Sequence, residues 1–533
     1  MLENMSEAQA NILLISVYCN GMKRDMEDFG ICCLQSYVKK VWTNTELIFV
    51  QTPHECLQAV KTYSARIVGF SMYDINKNLI FDCCRLIKQT YPNIFICVGG
   101  NSATYFYEEI LSACTDIDVV VRGEGELVFE QIIRRYLAGE DMTGVSGIAY
   151  RDGNTIFSAN ANTLTANVSL LPNASRVLAK KLGSSVYQIY TSRGCSGNCS
   201  FCTVRSIWSI WQCREINSVI DEIKTIHLQD GIELFNIVDC SFDDNHNRRL
   251  LDFCEKIKEN GLNIYYFAHF KSSFYKKAIK GLIHRLVESG LCGACVGIEA
   301  GNQDDLDIYQ KNSTVKDNMR ILDFFETHDI AVEIGFINFN PYSSFDSLSK
   351  NIDFLEHTGY ACNIEHLATR YRMYRGSPLY ERLYRENMII YGPLHEYSYR
   401  FLDSRIEILC RYLNDYLYNN NDVMQEYISN IIYYTHRERT MVKYYKRNAS
   451  RYDQEEEWMN AIEYEKTNEK IRKELNKSAA EWFRELLNLS QIGWNAEKAN
   501  AITHKHIENR LRKSYVQFEL ASERFNKQAK LQS

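Results

Sequence analysis

The sequence lacks an excess of charge of either sign. Its 533 residues include 61 lysines and arginines against 67 aspartates and glutamates, a formal net charge of −6. No basic face is expected, so nucleic acid is not predicted as a partner. Aromatic residues make up 12% of the chain and hydrophobic ones 45%, which argues against disorder. The length is more than one core can use and predicts two large domains with an appendage.

A membrane-spanning run is also missing. The longest apolar stretch near the start, ILLISVY at 12–18, is too short to cross a bilayer and lacks the basic flank and cleavage site of a signal peptide. The 18 cysteines are spread through apolar segments of a long chain, unlike the disulfide framework of a small secreted domain. We therefore expect a cytoplasmic protein with reduced thiols and no membrane partner.

Short apolar runs alternate with amphipathic stretches from residue 11 to about 138. Strand and helix alternating in this way predict an α/β fold with an open parallel sheet, a doubly wound, Rossmann-like domain at 1–141. The five predicted strands are 12–17, 46–51, 67–71, 94–100 and 118–126.

The ends of these strands carry the candidate binding residues of the first domain, because open parallel sheets bind ligands where their strands end. These residues are Ser71, Gly99, Gly100, Gly123 and Glu124. No Gly-x-Gly-x-x-Gly follows the first strand, where 17–30 is VYCNGMKRDMEDFG, so a dinucleotide site is not favoured.

A linker with a β-hairpin is predicted at 142–182. Within it, GIAYRDGNTIFS at 147–158 has an Asp-Gly pair that suits a tight turn, and we expect this hairpin to bridge two domains.

The alternation resumes from 183 to 379. It predicts a partial (β/α)6, TIM-like barrel with its site at the carboxyl ends of the strands. The six predicted strands are 186–190, 234–240, 264–270, 294–300, 332–339 and 363–368. From 380 to 533 the chain is rich in Tyr, Asn, Glu and Lys with almost no strand pattern, which predicts an α-helical C-terminal domain.

Three cysteines lie close together in the loop RGCSGNCSFC, directly after the first barrel strand. They are Cys195, Cys199 and Cys202, and the small polar residues between them argue against buried structural thiols. Structural zinc sites need a fourth ligand, and no second Cys or His pair lies nearby at the usual spacing. An iron–sulfur cluster held by three thiolates leaves one iron without a protein ligand.

A Cys-X3-Cys-X2-Cys loop in this setting resembles the radical S-adenosylmethionine (SAM) superfamily. The resemblance implies a [4Fe-4S] cluster on Cys195, Cys199 and Cys202, with SAM chelating the open iron, and an external electron donor of the flavodoxin or ferredoxin type. It also implies cleavage of SAM to a 5′-deoxyadenosyl radical, in a cavity that excludes water.

Further segments resemble the SAM-binding motifs of this superfamily. They are VDCSFDDN at 238–245, GIEAG at 297–301, GFINFNP at 335–341 and YRGSPLY at 374–380. The resemblance places Phe201 at the adenine, Asp239 and Ser241 near the SAM amino group, Glu299 near its ribose or methionine part, and Asn338 or Asn340 at SAM or substrate. Taken alone, each polar residue is also an ordinary capping or turn residue, and Phe201 an ordinary hydrophobic contact of the loop.

The first domain is similar to the cobalamin-binding domain that precedes the barrel in one large radical SAM subfamily. VGFS, VGG and VVRGEGE carry this resemblance, which extends over roughly 11–390. Glycines 99, 100 and 123 would let a corrin tail approach the backbone, and Ser71 would offer a hydroxyl to its base. Alternatively, the glycines serve as plain turns. The Asp-X-His-X-X-Gly motif is absent from 18–29, so that loop supplies no histidine to cobalt, which also leaves room for a domain that binds nothing.

Methyl transfer is the activity that the resemblance implies. We expect cobalamin-dependent methylation of an unactivated carbon in a small metabolite or peptide, in secondary metabolism. The alternative enzyme would rearrange, cyclise or epimerise its substrate, with or without cobalamin. A non-enzymatic reading is a sensor that binds cluster and corrin.

Two residues are candidates for the catalytic step itself. Cys240 follows Asp239 at a strand end, where its thiol would donate a hydrogen atom or simply pack as a small residue. Tyr371, with Trp208, Trp211 and Tyr374, would line the pocket or belong to the core. Cys292 and Cys295 form a second C-x-x-C, but no further pair completes a site, so an auxiliary cluster is not favoured.

Overall fold

The computed structural model describes residues 10–19, 27–159, 166–243, 247–277, 281–328, 330–392, 397–418, 455–511, 513–514 and 516–517. Most of the loop at 18–29, where a cobalt-ligating histidine motif was sought, lies outside these residues.

The first domain contains a parallel sheet in the strand order β2-β1-β3-β4-β5, with helices between the strands. Its strands are β1 (Ile12–Val17), β2 (Thr45–Val50), β3 (Ile67–Ser71), β4 (Phe95–Gly99) and β5 (Val119–Val121). Its helices are α1 (Phe29–Lys39), α2 (Pro53–Thr62), α3 (Lys77–Thr90), α4 (Asn101–Tyr105), α5 (Tyr107–Ala113) and α6 (Gly125–Ala138). Buried apolar clusters cover both faces of the sheet, as a doubly wound domain requires. All five predicted strands form, but the fifth is shorter than the predicted 118–126, because α6 begins at Gly125.

The predicted hairpin forms as β6 (Ile148–Asp152) and β7 (Thr155–Ser158), but it does not bridge two domains. Strand β6 pairs antiparallel with β5 and places Ile148 opposite Val121, so the hairpin extends the first sheet at its edge. Both residues are buried. Covering the edge of β5 satisfies its backbone groups, which explains why the hairpin joins this sheet.

The second sheet has five parallel strands in chain order, as a partial barrel requires. They are β8 (Val186–Ile189), β11 (Leu234–Ile237), β12 (Tyr265–Lys271), β13 (Leu291–Glu299) and β14 (Ala331–Phe336). A small antiparallel ribbon of β9 (Ser192–Arg193) and β10 (Gln212–Cys213) follows β8. The helices of this region are α7 (Val177–Leu182), α8 (Val204–Ile207), α9 (Ile216–Asp230), α10 (Arg248–Glu259), α11 (Phe274–Lys277), α12 (Leu282–Glu288), α13 (Gln303–Ile308), α14 (Val315–Thr327), α15 (Phe345–His357), α16 (Glu365–Ala368) and α17 (Pro378–Arg385).

The sixth predicted barrel strand, at 363–368, is wrong. The segment forms the short helix α16, and the sheet continues only as one parallel bridge between Phe339 and Arg370. The side chain of Asn363 accepts a hydrogen bond from the Glu365 amide at 3.2 Å, which starts a turn in place of a strand.

The C-terminal region is helical, with α18 (Ser404–Tyr418), α19 (Glu455–Ile492) and α20 (Ala496–Thr503). It also contains a small ribbon of β15 (Ile389–Ile390) and β16 (Ser398–Tyr399) that the composition did not predict. Trp482 and Phe483 of α19 are fully buried in a cluster that is continuous with the barrel core. Among the described residues, no helix has the length and apolar character to cross a bilayer.

Candidate active site

The cysteine loop lies between β9 and α8, and its entry requires a glycine. Gly194 has a φ of +82°, and a Cβ at this position would lie 2.6 Å from the carbonyl oxygen of Ile210. The three thiols of Cys195, Cys199 and Cys202 are half-buried. They line a cleft of about 260 Å³.

Hydrogen bonds from the middle of the loop attach it to the barrel. The Ser200 amide donates to the Tyr309 carbonyl at 2.9 Å, and the Ser200 hydroxyl donates to the Ile308 carbonyl at 2.6 Å. The Leu379 amide in turn donates to the Ser200 carbonyl at 2.8 Å. The end of α13 and the first turn of α17 thus hold the loop from two sides.

The thiols suit a cluster better than a single ion. Within the described part of the chain, no three His, Cys, Asp or Glu side chains converge so that they could hold one metal ion. In an iron–sulfur cluster each thiolate binds a different iron, so such convergence is not needed. A Cβ on Gly197 would lie 3.3 Å from Cys195 Sγ and 3.9 Å from Cys199 Sγ, so the glycine keeps the space between these thiols open. These residues therefore fit a cluster.

Asp239, predicted to meet SAM, is buried and holds the start of the cysteine loop. Its Oδ1 accepts a hydrogen bond from the Thr191 amide at 2.6 Å, and its Oδ2 accepts one from the Ser192 hydroxyl at 2.7 Å and another from the Thr191 hydroxyl. A carboxylate with three donors is well compensated for burial. The structure thus gives Asp239 an anchoring function at the end of β11.

Ser241 belongs to a polar chain that also reaches the cysteine loop. Its hydroxyl donates to Asp243 Oδ1 at 2.5 Å, and Asp243 Oδ2 lies 3.2 Å from Lys271 Nζ. Lys271, at the end of β12, donates to the Ser196 hydroxyl oxygen at 2.6 Å. Ser196 lies between the first two cysteines, so Lys271 links this polar chain to the loop.

Glu299 pairs with a buried lysine that the sequence analysis did not identify. Glu299 has a φ of +68° after a bulge in β13, and its Oε1 lies 3.5 Å from Lys311 Nζ. Burial works to lower the pKa of Lys311, but the negative charges of Glu299, Cys199 and Cys195 together outweigh it and the pKa is raised. A Cβ on Gly297 would lie 2.7 Å from Glu299 Oε1, and one on Gly335 3.3 Å from its Oε2. The carboxylate lies over two glycines that leave room for it.

The two predicted asparagines have protein partners. Asn338 Nδ2 donates to the Leu367 carbonyl at 2.8 Å, and Asn340 Nδ2 donates to Asp305 Oδ1 at 2.7 Å. Both residues are buried. Their placement favours a structural role that secures the segment after β14.

The two predicted aromatic residues lie in one apolar cluster at the barrel mouth. Phe201 is half-buried and packs edge-on against Tyr309 at a centroid distance of 5.6 Å. Tyr371 is 2% exposed, and its hydroxyl lies 3.0 Å from the Ser377 hydroxyl. Burial raises the pKa of Tyr371.

A cavity of about 520 Å³ lies where the carboxyl ends of the first sheet face the cysteine loop. Residues from β1, β3, β4 and β5 line one side, and residues next to the cysteines line the other. Six predicted site residues line this cavity: Ser71, Gly99, Gly100, Gly123, Glu124 and Cys240. Reasoning from strand ends therefore brought together residues far apart in the sequence.

Glycines shape the cavity wall on the side of the first domain. Gly100 has a φ of +101°, and a Cβ there would lie 3.1 Å from the Met72 carbonyl oxygen. A Cβ on Gly69 would lie 2.7 Å from Leu14 Cδ2. These glycines keep the floor of the cavity free of side chains, which fits the tail of a large ligand such as cobalamin.

Two charged residues that the sequence analysis did not identify, Arg193 and Glu126, help to connect this wall to the cysteine loop. Arg193 Nη1 lies 3.0 Å from Glu124 Oε1, and Arg193 Nη2 lies 2.6 Å from Glu126 Oε1. The Trp208 indole N–H also donates to Glu124 Oε1, at 2.9 Å. Burial raises the pKa of Glu124; it also works to raise that of Glu126, but Arg193 outweighs it and the pKa of Glu126 is lowered. In the sequence, the Glu-X-Glu pattern of VVRGEGE and the arginine two positions before the first cysteine could have indicated these ion pairs.

Tyr190 lines the same cavity, and its buried hydroxyl oxygen has no hydrogen-bond partner among the described residues. Burying a hydroxyl without a hydrogen-bond partner costs free energy, and pairing with a ligand or a water molecule removes this cost. It is a further sign that the cavity receives a polar ligand group.

The remaining candidates divide between cavity and core. Cys240 and Trp208 line the cavity, and burial raises the pKa of Cys240 to about 12. Tyr374 packs against Tyr105 at a centroid distance of 5.6 Å, away from the cavity lining. Cys292 is 1% exposed and contacts a backbone carbonyl, so it is placed as a core thiol.

Comparison with known proteins agrees with this geometry. Residues 15–133 match the B12 binding domain family. An uncharacterized methyltransferase of Pyrococcus horikoshii is 28% identical over 267 residues, 48% of this chain and 56% of that protein. The anaerobic magnesium-protoporphyrin IX monomethyl ester cyclase of Cereibacter sphaeroides is 30% identical over 264 residues, 48% of this chain and 43% of that protein. The chain spans about half the length of these curated relatives.

The fold is shared with a solved structure. The cobalamin-dependent S-adenosylmethionine radical enzyme OxsB, solved with aqua-cobalamin and S-adenosylmethionine bound, superposes with a TM-score of 0.70 at 18% identity. The match covers 98% of this chain and 80% of that one. Together, the comparisons confirm the predicted fold class and the resemblance to radical SAM enzymes with a cobalamin-binding domain.

Proposed function

We propose that this protein is a radical SAM enzyme that methylates an unactivated carbon of a small molecule or peptide with the help of cobalamin. The observation that carries the proposal is one cavity with two kinds of wall. Strand ends of a B12-type domain form one wall, and Ser192, Arg193, Thr203 and Val204, which flank the three cysteines, contribute to the other. A ligand in this cavity would lie beside whatever the cysteines hold.

Cys195, Cys199 and Cys202 would hold a [4Fe-4S] cluster, and Ser71 with the glycine-lined floor would hold cobalamin. When bound, the cluster with SAM supplies a 5′-deoxyadenosyl radical, and cobalamin supplies the methyl group. The protein supplies binding, orientation and exclusion of water from the reacting centre.

The charged residues of the barrel mouth suit the zwitterionic part of SAM. Lys311 is a buried cation close to the cysteine loop, so it would attract a carboxylate, while Glu299 would accept hydrogen bonds from hydroxyl or ammonium groups. Lys271 and Asp239 keep the loop in position for this contact. We propose SAM binding at this mouth, between Glu299 and the cysteines.

The test is anaerobic purification with iron and cobalt analysis, followed by reduction in the presence of SAM and hydroxocobalamin. We expect about four irons per chain, bound cobalt, and both S-adenosylhomocysteine and 5′-deoxyadenosine as products. Cys199→Ala should abolish 5′-deoxyadenosine formation. Cys213→Ala is the matched control, since Cys213 is a half-buried thiol outside the loop. Formation of 5′-deoxyadenosine alone from cobalamin-loaded protein would contradict methyl transfer.

A second candidate is ring formation or rearrangement without methyl gain. The relative from Cereibacter sphaeroides is named as a cyclase. Cys240 also favours this candidate, because its thiol lines the cavity, where it would donate a hydrogen atom to a substrate radical. Substrate deuterium exchange without S-adenosylhomocysteine would support this activity and argue against methylation.

A further inference from the structure

We propose that Arg193 is a positioning residue that couples the two cofactor sites, so that a corrinoid in the 520 Å³ cavity strengthens SAM binding at the cysteine loop. The proposal rests on the proposed function, because it requires both ligands to bind. Arg193 precedes the first cysteine by two positions, and its side chain lies in the cavity wall.

The guanidinium of Arg193 forms ion pairs with residues of the first domain. It reaches Glu124 at 3.0 Å and Glu126 at 2.6 Å, and these carboxylates stand at the start of α6. The arginine side chain is 12% exposed, and the two carboxylate side chains are 4% and 7% exposed. Removing one partner of a buried ion pair leaves the other charge uncompensated, so these contacts resist separation.

The backbone of Arg193 belongs to the cysteine loop. Arg193 pairs with Gln212 in the β9–β10 ribbon, and Ser192 beside it is held by Asp239. Gly194 follows in a conformation that packs directly against Ile210. A displacement of the guanidinium is therefore passed to Cys195 through a chain segment with little freedom.

Trp208 forms a second connection between Glu124 and the cysteine loop, on the other side of the cysteines from Arg193. Its indole donates to the same Glu124 oxygen that Arg193 contacts, and it lies beyond the last cysteine. Glu124 Oε2 also accepts a hydrogen bond from the Ala166 amide at 3.1 Å. Both ends of the cysteine loop thus meet one carboxylate of the corrinoid cavity.

The physical consequence is a coupling free energy. A corrinoid that fills the cavity would shield the ion pairs of Arg193 from water and oppose their opening, and a loop held more firmly in this way loses less freedom when SAM binds. Coupling is reciprocal, so SAM would strengthen corrinoid binding by the same factor.

The experiment measures the dissociation constant of radiolabelled SAM on cluster-reconstituted protein by equilibrium dialysis, with and without saturating hydroxocobalamin. For the unaltered protein we expect hydroxocobalamin to lower this constant by a factor within about 5 to 150. In Arg193→Met, the ratio of the SAM dissociation constants without and with hydroxocobalamin should be close to one. Arg193→Lys should retain part of the effect of hydroxocobalamin. Arg134→Met is the matched control, because Arg134 forms an exposed pair with Glu130 on the same helix α6.

A second variant covers the case in which Arg193→Met fails to fold or to hold iron. Glu126→Gln keeps the shape of the side chain and removes its charge, and the ratio should fall in the same direction. An unchanged ratio in a folded, iron-loaded Arg193→Met or Glu126→Gln protein would overturn the coupling. Failure of the unaltered protein to bind hydroxocobalamin or SAM would instead overturn the proposed function.

Discussion

The hydroxyl of Ser192 donates a 2.7 Å hydrogen bond to the buried carboxylate of Asp239 and thereby joins the end of barrel strand β11 to the start of the cysteine loop. The carboxylate takes further hydrogen bonds from the amide and hydroxyl of Thr191. The start of the loop that would carry the cluster is thus anchored by one acidic side chain, and removal of this carboxylate is the first prediction.

Asp239→Asn should lower iron incorporation and destabilise the fold. The amide group of asparagine would face donors in place of an acceptor, which costs about 1–3 kcal/mol for each buried group left unsatisfied. Iron stoichiometry after anaerobic reconstitution and chemical denaturation would measure the two effects. Asp221→Asn on the exposed face of α9 is the control and should change neither quantity. Normal iron content in Asp239→Asn would show that the loop does not depend on this anchor.

Gly100→Ala should weaken corrinoid binding more than it weakens the fold. A Cβ at φ +101° is strained, and it would lie 3.1 Å from the Met72 carbonyl oxygen and 3.4 Å from the hydroxyl oxygen of Ser71, which lines the cavity. Gly139→Ala is the matched control, because its φ is +70° and nothing lies within 4 Å of its Cβ. We expect about a tenfold or greater loss of hydroxocobalamin affinity for Gly100→Ala alone, since about 1.4 kcal/mol corresponds to tenfold. Absorbance titration measures it, and equal affinities of the two variants would contradict the prediction.

Lys311→Met should weaken SAM binding and leave corrinoid binding intact. The substitution removes the cation at 3.5 Å from Glu299 and leaves a buried carboxylate without its partner. We expect a loss of about 2–5 kcal/mol, or about thirtyfold or more in SAM affinity, for truncating one side of such a pair. Lys316→Met, at an exposed position of α14, serves as the control. Dialysis with labelled SAM measures the affinity of both variants. A parallel loss of corrinoid affinity in Lys311→Met would argue against an effect of Lys311 confined to the SAM site.

Protonation of the Asp317 carboxylate should make the fold less stable in acid. Burial works to raise the pKa of Asp317, but a 2.7 Å ion pair with Lys276 and the capping box with Thr314 outweigh it and lower this pKa to about 2. Because the folded-state pKa lies below that of the unfolded chain, the stabilisation is present above about pH 4 and is lost as the pH falls toward 2. The contribution is about 1–2 kcal/mol at neutral pH.

Denaturation of the Asp317→Asn protein between pH 2 and pH 7 tests this point. The difference in unfolding free energy from the unaltered protein should be largest at neutral pH and shrink toward pH 2. Asp323→Asn on the exposed face of the same helix should show a much smaller difference. A difference for Asp317→Asn that does not change with pH would refute the assignment.

The strand ends and the cysteine loop were predictable because both follow from local patterns. Apolar runs of period two or continuous burial mark β1 to β5, β8 and β11 to β14, and candidate residues such as Ser71, Gly99 and Asp239 lie at or shortly after the ends of these strands. Since parallel strands end at one edge, Ser71, Gly99 and Gly123 had to lie near one another. The error at 363–368 arose where a side chain of Asn363 competed with the sheet for backbone hydrogen bonds.

The sequence by itself determined the order of the two sheets, the three thiols of one loop and the glycines at the strand ends, because these depend on spacing along the chain. Only the tertiary structure decided that the hairpin belongs to the first sheet, that Asp239 anchors the loop and that Lys311 pairs with Glu299. It also decided that Arg193 forms ion pairs with Glu124 and Glu126 in the wall of the cavity. Such pairs join residues far apart in sequence, and their energies arise from burial and charge at distances that only the packing of the two domains sets.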